Sequence, residues 1–182
     1  MLEVKAAAVQ AAPVLFDTLA TLEKVEALAA GAAKNDANFI VFPEAFIGGY
    51  PKGSHFGAPV GSRSAEGRSL FRQYFEGAIE VPGPETERLA RLAGALQTDL
   101  VVGAIERAPK SEGGGTLYCS ALVFSADGKF CGRRRKLMLK LVVTARSTRP
   151  MRLRTTPYMA KSATAIITAP ETVPPGRTNS SR

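Results

Sequence analysis

Tryptophan is absent from the 182 residues, histidine occurs once and cysteine twice. One histidine removes Ser-His-Asp triads and His-rich metal sites from consideration. Cys119 and Cys131, without clustered histidines, give neither a disulfide framework nor a zinc site. No run approaches the ~18 consecutive apolar residues that a membrane-spanning helix needs. The start, MLEVKAAAVQ, has no basic segment before a long apolar stretch, and Glu3 arrives at once. The expectation is therefore a soluble, cytoplasmic chain without membrane contact. Acidic residues are also scarce at one end: residues 133–182 hold 12 Lys+Arg but only Glu171 as an acid, a balance of +11. Residues 1–132 hold 12 Lys+Arg against 15 Asp+Glu, a balance of −3, so the overall +8 resides in the tail. Such asymmetry suggests a basic interaction arm or a tail of different origin from the body.

What is present is an ordinary globular composition, 45% apolar and 22% charged, arranged as alternating strands and helices. Residues 4–10 form a short apolar run, ended by Pro13, that reads as a buried strand. Asp17 or Thr18 can cap a helix in which Leu19, Leu22, Val25, Leu28 and Ala32 recur at helical spacing. Residues 38–42 form a buried strand stopped by Pro43. Residues 45–62 have no period and are long for a structureless connection, a length that often carries function. A helix around Leu70, Phe71 and Phe75 follows. A second helix opens with Pro84, has Glu85 and Glu87 in its first turn, and spaces Leu89, Leu92, Ala93 and Leu96 on one face. Strands over 99–105 and 116–124, and another from 129 toward 136 after an Asp127–Gly128 turn, complete an α/β pattern with a mixed sheet. Arg, Thr and Pro dominate the last 45 residues apart from an apolar patch at 163–169, and the one composition boundary lies near Met138.

Glu44 follows a strand and a proline in VFPEAF. It reads either as a solvated loop-end carboxylate or as one that partial desolvation raises toward a general base's working range. Lys136 ends the basic run Arg133–Lys136; it is either an exposed cation or a stabiliser of a developing anion. Cys119 lies mid-strand, where cysteine usually acts as a small apolar residue, with a nucleophilic role as the alternative, and Cys131 follows the hairpin turn in a structural position. His55, in the long loop, is a loop residue or a substrate contact. Gly113–Gly115 matches no phosphate-binding pattern and reads as a linker.

Five blocks in order carry a family resemblance: VQAAP at 9–13, VFPEAFIGGYPKG at 41–53, VPGPET at 81–86, GGTLYCSAL at 114–122 and RRKLM at 134–138. Together, over about residues 4–138, they resemble the nitrilase branch of the carbon–nitrogen hydrolase superfamily. The resemblance implies an α-β-β-α four-layer sandwich that pairs with a second copy. It also implies a Glu–Lys–Cys triad, with Glu44 as general base and Lys136 as the catalytic lysine, acting on a small nitrile. The family's thiolate attacks the nitrile carbon, and water converts the thioimidate to acid and ammonia. No cofactor or metal is implied.

After Lys136 the pattern departs. Leu139 and Lys140 stand where the family has Pro-Thr, and the family's Trp- and Gly-rich stretch and Cys-Trp-Glu strand end do not follow. The segment at 150–161 faintly resembles the helix after the family's cysteine and 166–170 the strand after that helix, which places the cysteine's position near Ala145. The expectation is an N-terminal family domain over 1–138, a basic divergent tail over 139–182, a sandwich incomplete on its C-terminal side, and no nucleophilic cysteine. Neither Cys119, at a non-catalytic strand position, nor Cys131 readily replaces it. Such a chain is either a nitrilase-type hydrolase by ancestry, inactive or nearly so, or a non-catalytic subunit pairing with another copy or an intact paralogue. Nucleic-acid binding by the basic tail is disfavoured, since Tyr158 is its only aromatic residue and no known module is present.

Overall fold

The computed structural model describes residues 4–50, 64–112 and 115–136, together with the backbone of 165–168. The elements in chain order are β1 (Ala6–Gln10), α1 (Thr18–Lys34), β2 (Phe39–Val41), α2 (Ala65–Glu76), α3 (Pro84–Leu96), β3 (Asp99–Arg107), β4 (Leu117–Phe124), β5 (Phe130–Arg135) and β6 (Ala165–Thr168). The strands form one open mixed sheet in the order β5-β4-β3-β2-β1-β6. β6, β1, β2 and β3 run parallel, and β4 and β5 are added antiparallel as a meander. This is the expected α/β class, a layered sandwich with helices flanking a sheet that does not close. Ala165–Thr168, within the basic stretch after residue 138, pairs with β1 as an edge strand of the same sheet.

The parallel part follows from its connections. α1 and α3 each return the chain to the same end of the sheet, as parallel neighbours require. Asp17 caps α1 by accepting from Ala20 N at 2.9 Å. The helix buries Leu22, Val25, Ala29 and Ala32 against the sheet. Leu19, expected on this face, is 60% exposed. Thr21 occupies the inward position of the first turn instead, with its hydroxyl held by the Val14 and Asp17 carbonyls at 3.0 and 2.8 Å. Pro84 opens α3, where the Thr86 hydroxyl accepts from Gly83 N–H at 2.9 Å and donates to the Gly83 carbonyl at 2.6 Å. Arg88 grips Glu26 with two bonds of 2.6 and 2.8 Å, tying α3 to α1.

Side chains alternate along β3, so its two faces meet different surroundings. Leu100, Val102 and Ala104 join Leu122 and Phe124 of β4 and the buried faces of α1 and α3 in the main core. Ile105 points the other way, into a smaller cluster with Ala45 and Ala78, against which Tyr74 of α2, Leu117 and Cys119 pack. The candidate site is built on this second face.

Candidate active site

β2 ends at Val41, but the chain does not leave the sheet. Phe42 N–H donates to the Val101 carbonyl at 2.8 Å, and after Pro43–Phe46 crosses β3, Ile47 rejoins it through bonds to Gly103 and Ile105 of 3.0 and 2.8 Å. The crossing is so close that a Cβ on Gly103 would lie 2.2 Å from the Pro43 carbonyl oxygen and 2.7 Å from Glu44 Cα. Only glycine admits the approach. Ala45 adopts a left-handed φ of 52°, and Phe46 and Ile47 are fully buried. The exposed Glu44 carboxylate is thus carried on a tightly seated segment of the otherwise aperiodic loop.

Two neighbouring strands bring the other groups. Cys119 of β4 is paired with Ile105 of β3, which turns its side chain to the face opposite α1 and α3. Lys136, just past β5, is anchored by its own N–H donating to the Cys119 carbonyl at 2.7 Å. Glu44 Oε1 accepts from Lys136 Nζ at 2.6 Å and from Cys119 Sγ at 3.3 Å. Lys136 lies 92 positions from Glu44 in the chain and Cys119 lies 75. The three groups border an open cavity of about 650 Å³ whose walls include Ala45, Ile105, Leu117 and Tyr74.

The ion pair with Lys136, then the bond from Cys119, hold the Glu44 carboxyl below its ordinary value. Of the two readings of Glu44, the geometry agrees with the solvated carboxylate and not with the desolvated one, because the group is exposed and paired with a cation. Glu44 in turn raises Lys136. Burial, and after it the Glu44 carboxylate, push the Cys119 thiol up. Burial, with Cys119 and Tyr50 nearby, pushes Tyr74 up to about 12. Near neutrality the site therefore holds an ammonium, a carboxylate and a protonated thiol.

A second constellation holds this one in place, and it escaped the sequence reading. Glu106 is fully buried on the helix-side face, where its carboxylate accepts from Ser120 Oγ at 2.7 Å and from Arg135 Nη2 at 2.7 Å and lies 3.2 Å from Arg133 Nη1. Arg135 also stacks over Tyr118 with its guanidinium carbon 3.9 Å from the ring centroid. Burial alone would raise the Glu106 carboxyl, but Arg135, Ser120 and Arg133 together hold it below the ordinary value. The network pins the end of β5, the residue before Lys136. The available signal was an acid directly after the apolar run Leu100–Ile105 of DLVVGAIER, and a basic run whose alternate members face opposite sides.

Cys131 is exposed on β5. His55 and Ala145 lie outside the described residues. Among the described residues no group of three or more His, Cys, Asp or Glu could hold a metal ion, and no helix is long and apolar enough to cross a membrane.

The carbon–nitrogen hydrolase family model matches residues 5–173. The chain belongs to the carbon–nitrogen hydrolase family. It is 53% identical over 135 residues to a bifunctional nitrilase/nitrile hydratase of Lupinus angustifolius, covering 74% of this chain and 37% of that protein. It is also 53% identical over 138 residues to an aliphatic nitrilase of Sinorhizobium fredii, covering 76% of this chain and 43% of that one. Among solved structures, Nit3 of Saccharomyces cerevisiae, a member of branch 10 of the nitrilase superfamily, matches with a TM-score of 0.52 and 27% identity. The match covers 74% of this chain and 44% of that one. The chain thus spans less than half the length of the relatives it matches.

Proposed function

We propose that this chain carries the base and the lysine of a nitrilase, assembled but without the family's nucleophile, and that as it stands it does not turn nitriles over. The observation that supports this reading is the Glu44–Lys136 contact of 2.6 Å at the edge of an apolar-walled cavity. In the complete machinery Glu44 takes the proton of an attacking thiol and Lys136 faces the negative charge developing on the nitrile nitrogen. The substrate class is a small nitrile, converted to acid and ammonia, with no cofactor or metal. The thiol belongs to the segment after Met138, where this sequence loses the family pattern through deletion or a changed reading frame. We read residue 138 as a change of sequence character and not as the end of the fold, since β6 still joins the sheet. A cytoplasmic setting suits its unpaired cysteines.

The test is ammonia release from aliphatic and aromatic nitriles by this chain and by a chimera of residues 1–138 with the remainder of the Lupinus angustifolius relative. Hydrolysis by the chimera, abolished by Glu44→Gln or Lys136→Met, with no multiple turnover by the parent chain, is the expected result. An inactive but folded chimera, or one indifferent to Glu44→Gln, overturns the assignment. A second reading, a non-catalytic subunit pairing with another copy or an intact nitrilase, is favoured by the short coverage of the relatives. Co-expression with an intact nitrilase and measurement of the mass of the assembly decides it.

A further inference from the structure

Cys119 does not behave as its place in the sequence suggests. A mid-strand cysteine in LYCSALVF reads as a core residue, yet its side chain is only half-buried and donates to Glu44 Oε1 at 3.3 Å, the same oxygen that Lys136 Nζ reaches at 2.6 Å. Thiol, carboxylate and ammonium therefore share one point on the wall of the cavity. A nucleophile hydrogen-bonded to a base, with a cation beside both, is the arrangement that covalent catalysis requires. The cavity, about 650 Å³, is of a size that takes small molecules. Its lining by Ala45, Ile105, Leu117 and Tyr74 favours an apolar ligand body with one polarised end directed at Glu44 and Lys136.

We propose that Cys119 is a nucleophile in this chain and that its thiol adds to the carbon of a small nitrile in this cavity to give an enzyme-bound thioimidate. The inference rests on the roles assigned above to Glu44 and Lys136, and it assigns the attack to a residue outside the family's triad. The Sγ–C bond forms as one π bond of the C≡N group breaks. The thiol proton passes to Glu44 Oε1, the nitrile nitrogen receives a proton from the Lys136 ammonium, and Glu44 returns its proton to Lys136. The sum is thiol plus nitrile to thioimidate, with no leaving group and no oxidant or reductant. Because the thiol is protonated near neutrality, addition proceeds through the base and not through a standing thiolate. The step loads one nitrile per chain and makes no ammonia by itself.

The chain carries its own comparison in Cys131, which is exposed on β5 with its thiol toward the Lys129 carbonyl at 3.7 Å. The experiment incubates the full 182-residue chain at mildly alkaline pH with 2-cyanopyrimidine, an electron-poor nitrile that adds thiols, and reads intact mass under non-denaturing conditions. The expected result is a gain of one nitrile by the parent chain and by Cys131→Ala, none by Cys119→Ala, and a rate lowered about 100-fold in Glu44→Gln, the usual scale for a lost general base. The parent chain alone supplies a measurement that no variant's folding can confuse. A short pulse of iodoacetamide followed by peptide mapping should label Cys119 less after nitrile saturation than in the same pulse given without nitrile, and label Cys131 equally in both.

An adduct retained in Cys119→Ala, equal protection of both cysteines, or no adduct on the parent chain overturns the proposal. So does an unchanged rate in Glu44→Gln. Failure here with an active chimera rejects Cys119 alone, whereas an inactive, folded chimera rejects the assignment of Glu44 and Lys136 beneath it.

Discussion

Replacing Glu106 by Gln removes one negative charge from a fully buried position while keeping its volume and an oxygen for the Ser120 hydroxyl. What is lost is the charge-assisted pairing with Arg135 at 2.7 Å and with Arg133 at 3.2 Å. Breaking one side of a buried ion pair costs about 3–5 kcal/mol. Both arginines keep about a quarter of their side-chain surface exposed and Arg135 lies 3.4 Å from Glu112, so water and that second carboxylate take up part of the orphaned charge. This puts the expected loss near the lower bound, about 3 kcal/mol. Glu106→Leu also strands the Ser120 hydroxyl, buried to 3% exposure, and should cost a further ~1–3 kcal/mol, returned when Ser120→Ala is added. Against a typical total of about 5–15 kcal/mol, either change is plainly measurable by urea unfolding at pH 7. The pH dependence has a definite sign. Folding lowers the Glu106 carboxyl from its ordinary 4.5, so its contribution is complete above that value and is lost as pH falls through the lower folded one. The gap between parent and Glu106→Gln should close on acidification in that window. A Glu106→Gln protein within about 0.5 kcal/mol of the parent at pH 7, the scatter of ordinary surface changes, would refute the view that this carboxylate holds the end of β5.

Two further expectations concern the site itself. Gly103→Ala drives a methyl group into the Pro43 carbonyl and Glu44 Cα. Overpacking of this kind costs about 1–3 kcal/mol and should displace Glu44 enough to weaken nitrile loading of Cys119. Retained stability with unchanged loading would mean that the crossing segment does not set the position of Glu44. The rate of iodoacetamide alkylation of Cys119, which consumes thiolate, should rise with pH along a curve whose midpoint lies above the ordinary thiol value of 9.0. Since the Glu44 carboxylate raises this thiol and Lys136 lowers it, Glu44→Gln should shift the profile to lower pH and Lys136→Met to higher. Glu44→Gln should thus speed alkylation while slowing nitrile addition, and a change in the same direction for both reagents would count against Glu44 acting as base.

The local elements were legible in the sequence because their causes are local. Asp17, Pro84 and the spacing of Leu22, Val25 and Ala32 determine where α1 and α3 begin and which sides they bury; Asp127–Gly128 determines the hairpin, with Gly128 at a φ of 80°. VFPEAF and RRKLM were enough to single out Glu44 and Lys136 and to suggest the family. Their convergence across 92 positions, and the arrival of Cys119 at the same oxygen, depend on strand register. Pairing Cys119 with Ile105 turns the thiol to the cavity, and a slip by one residue would have turned it into the core beneath α1 and α3. The direction of the Glu44 shift was likewise beyond the chain's local order. Position after a strand left a solvated carboxylate and a desolvated, raised one both open; an ammonium 2.6 Å away in open solvent lowers it. Glu106 was not singled out at all, because its partners Ser120, Arg133 and Arg135 reach it only through the pairing of β4 and β5. A periodic pattern reports which face of an element is buried, but the partner a charged group meets is set by contacts between distant segments, which only the folded sheet brings together.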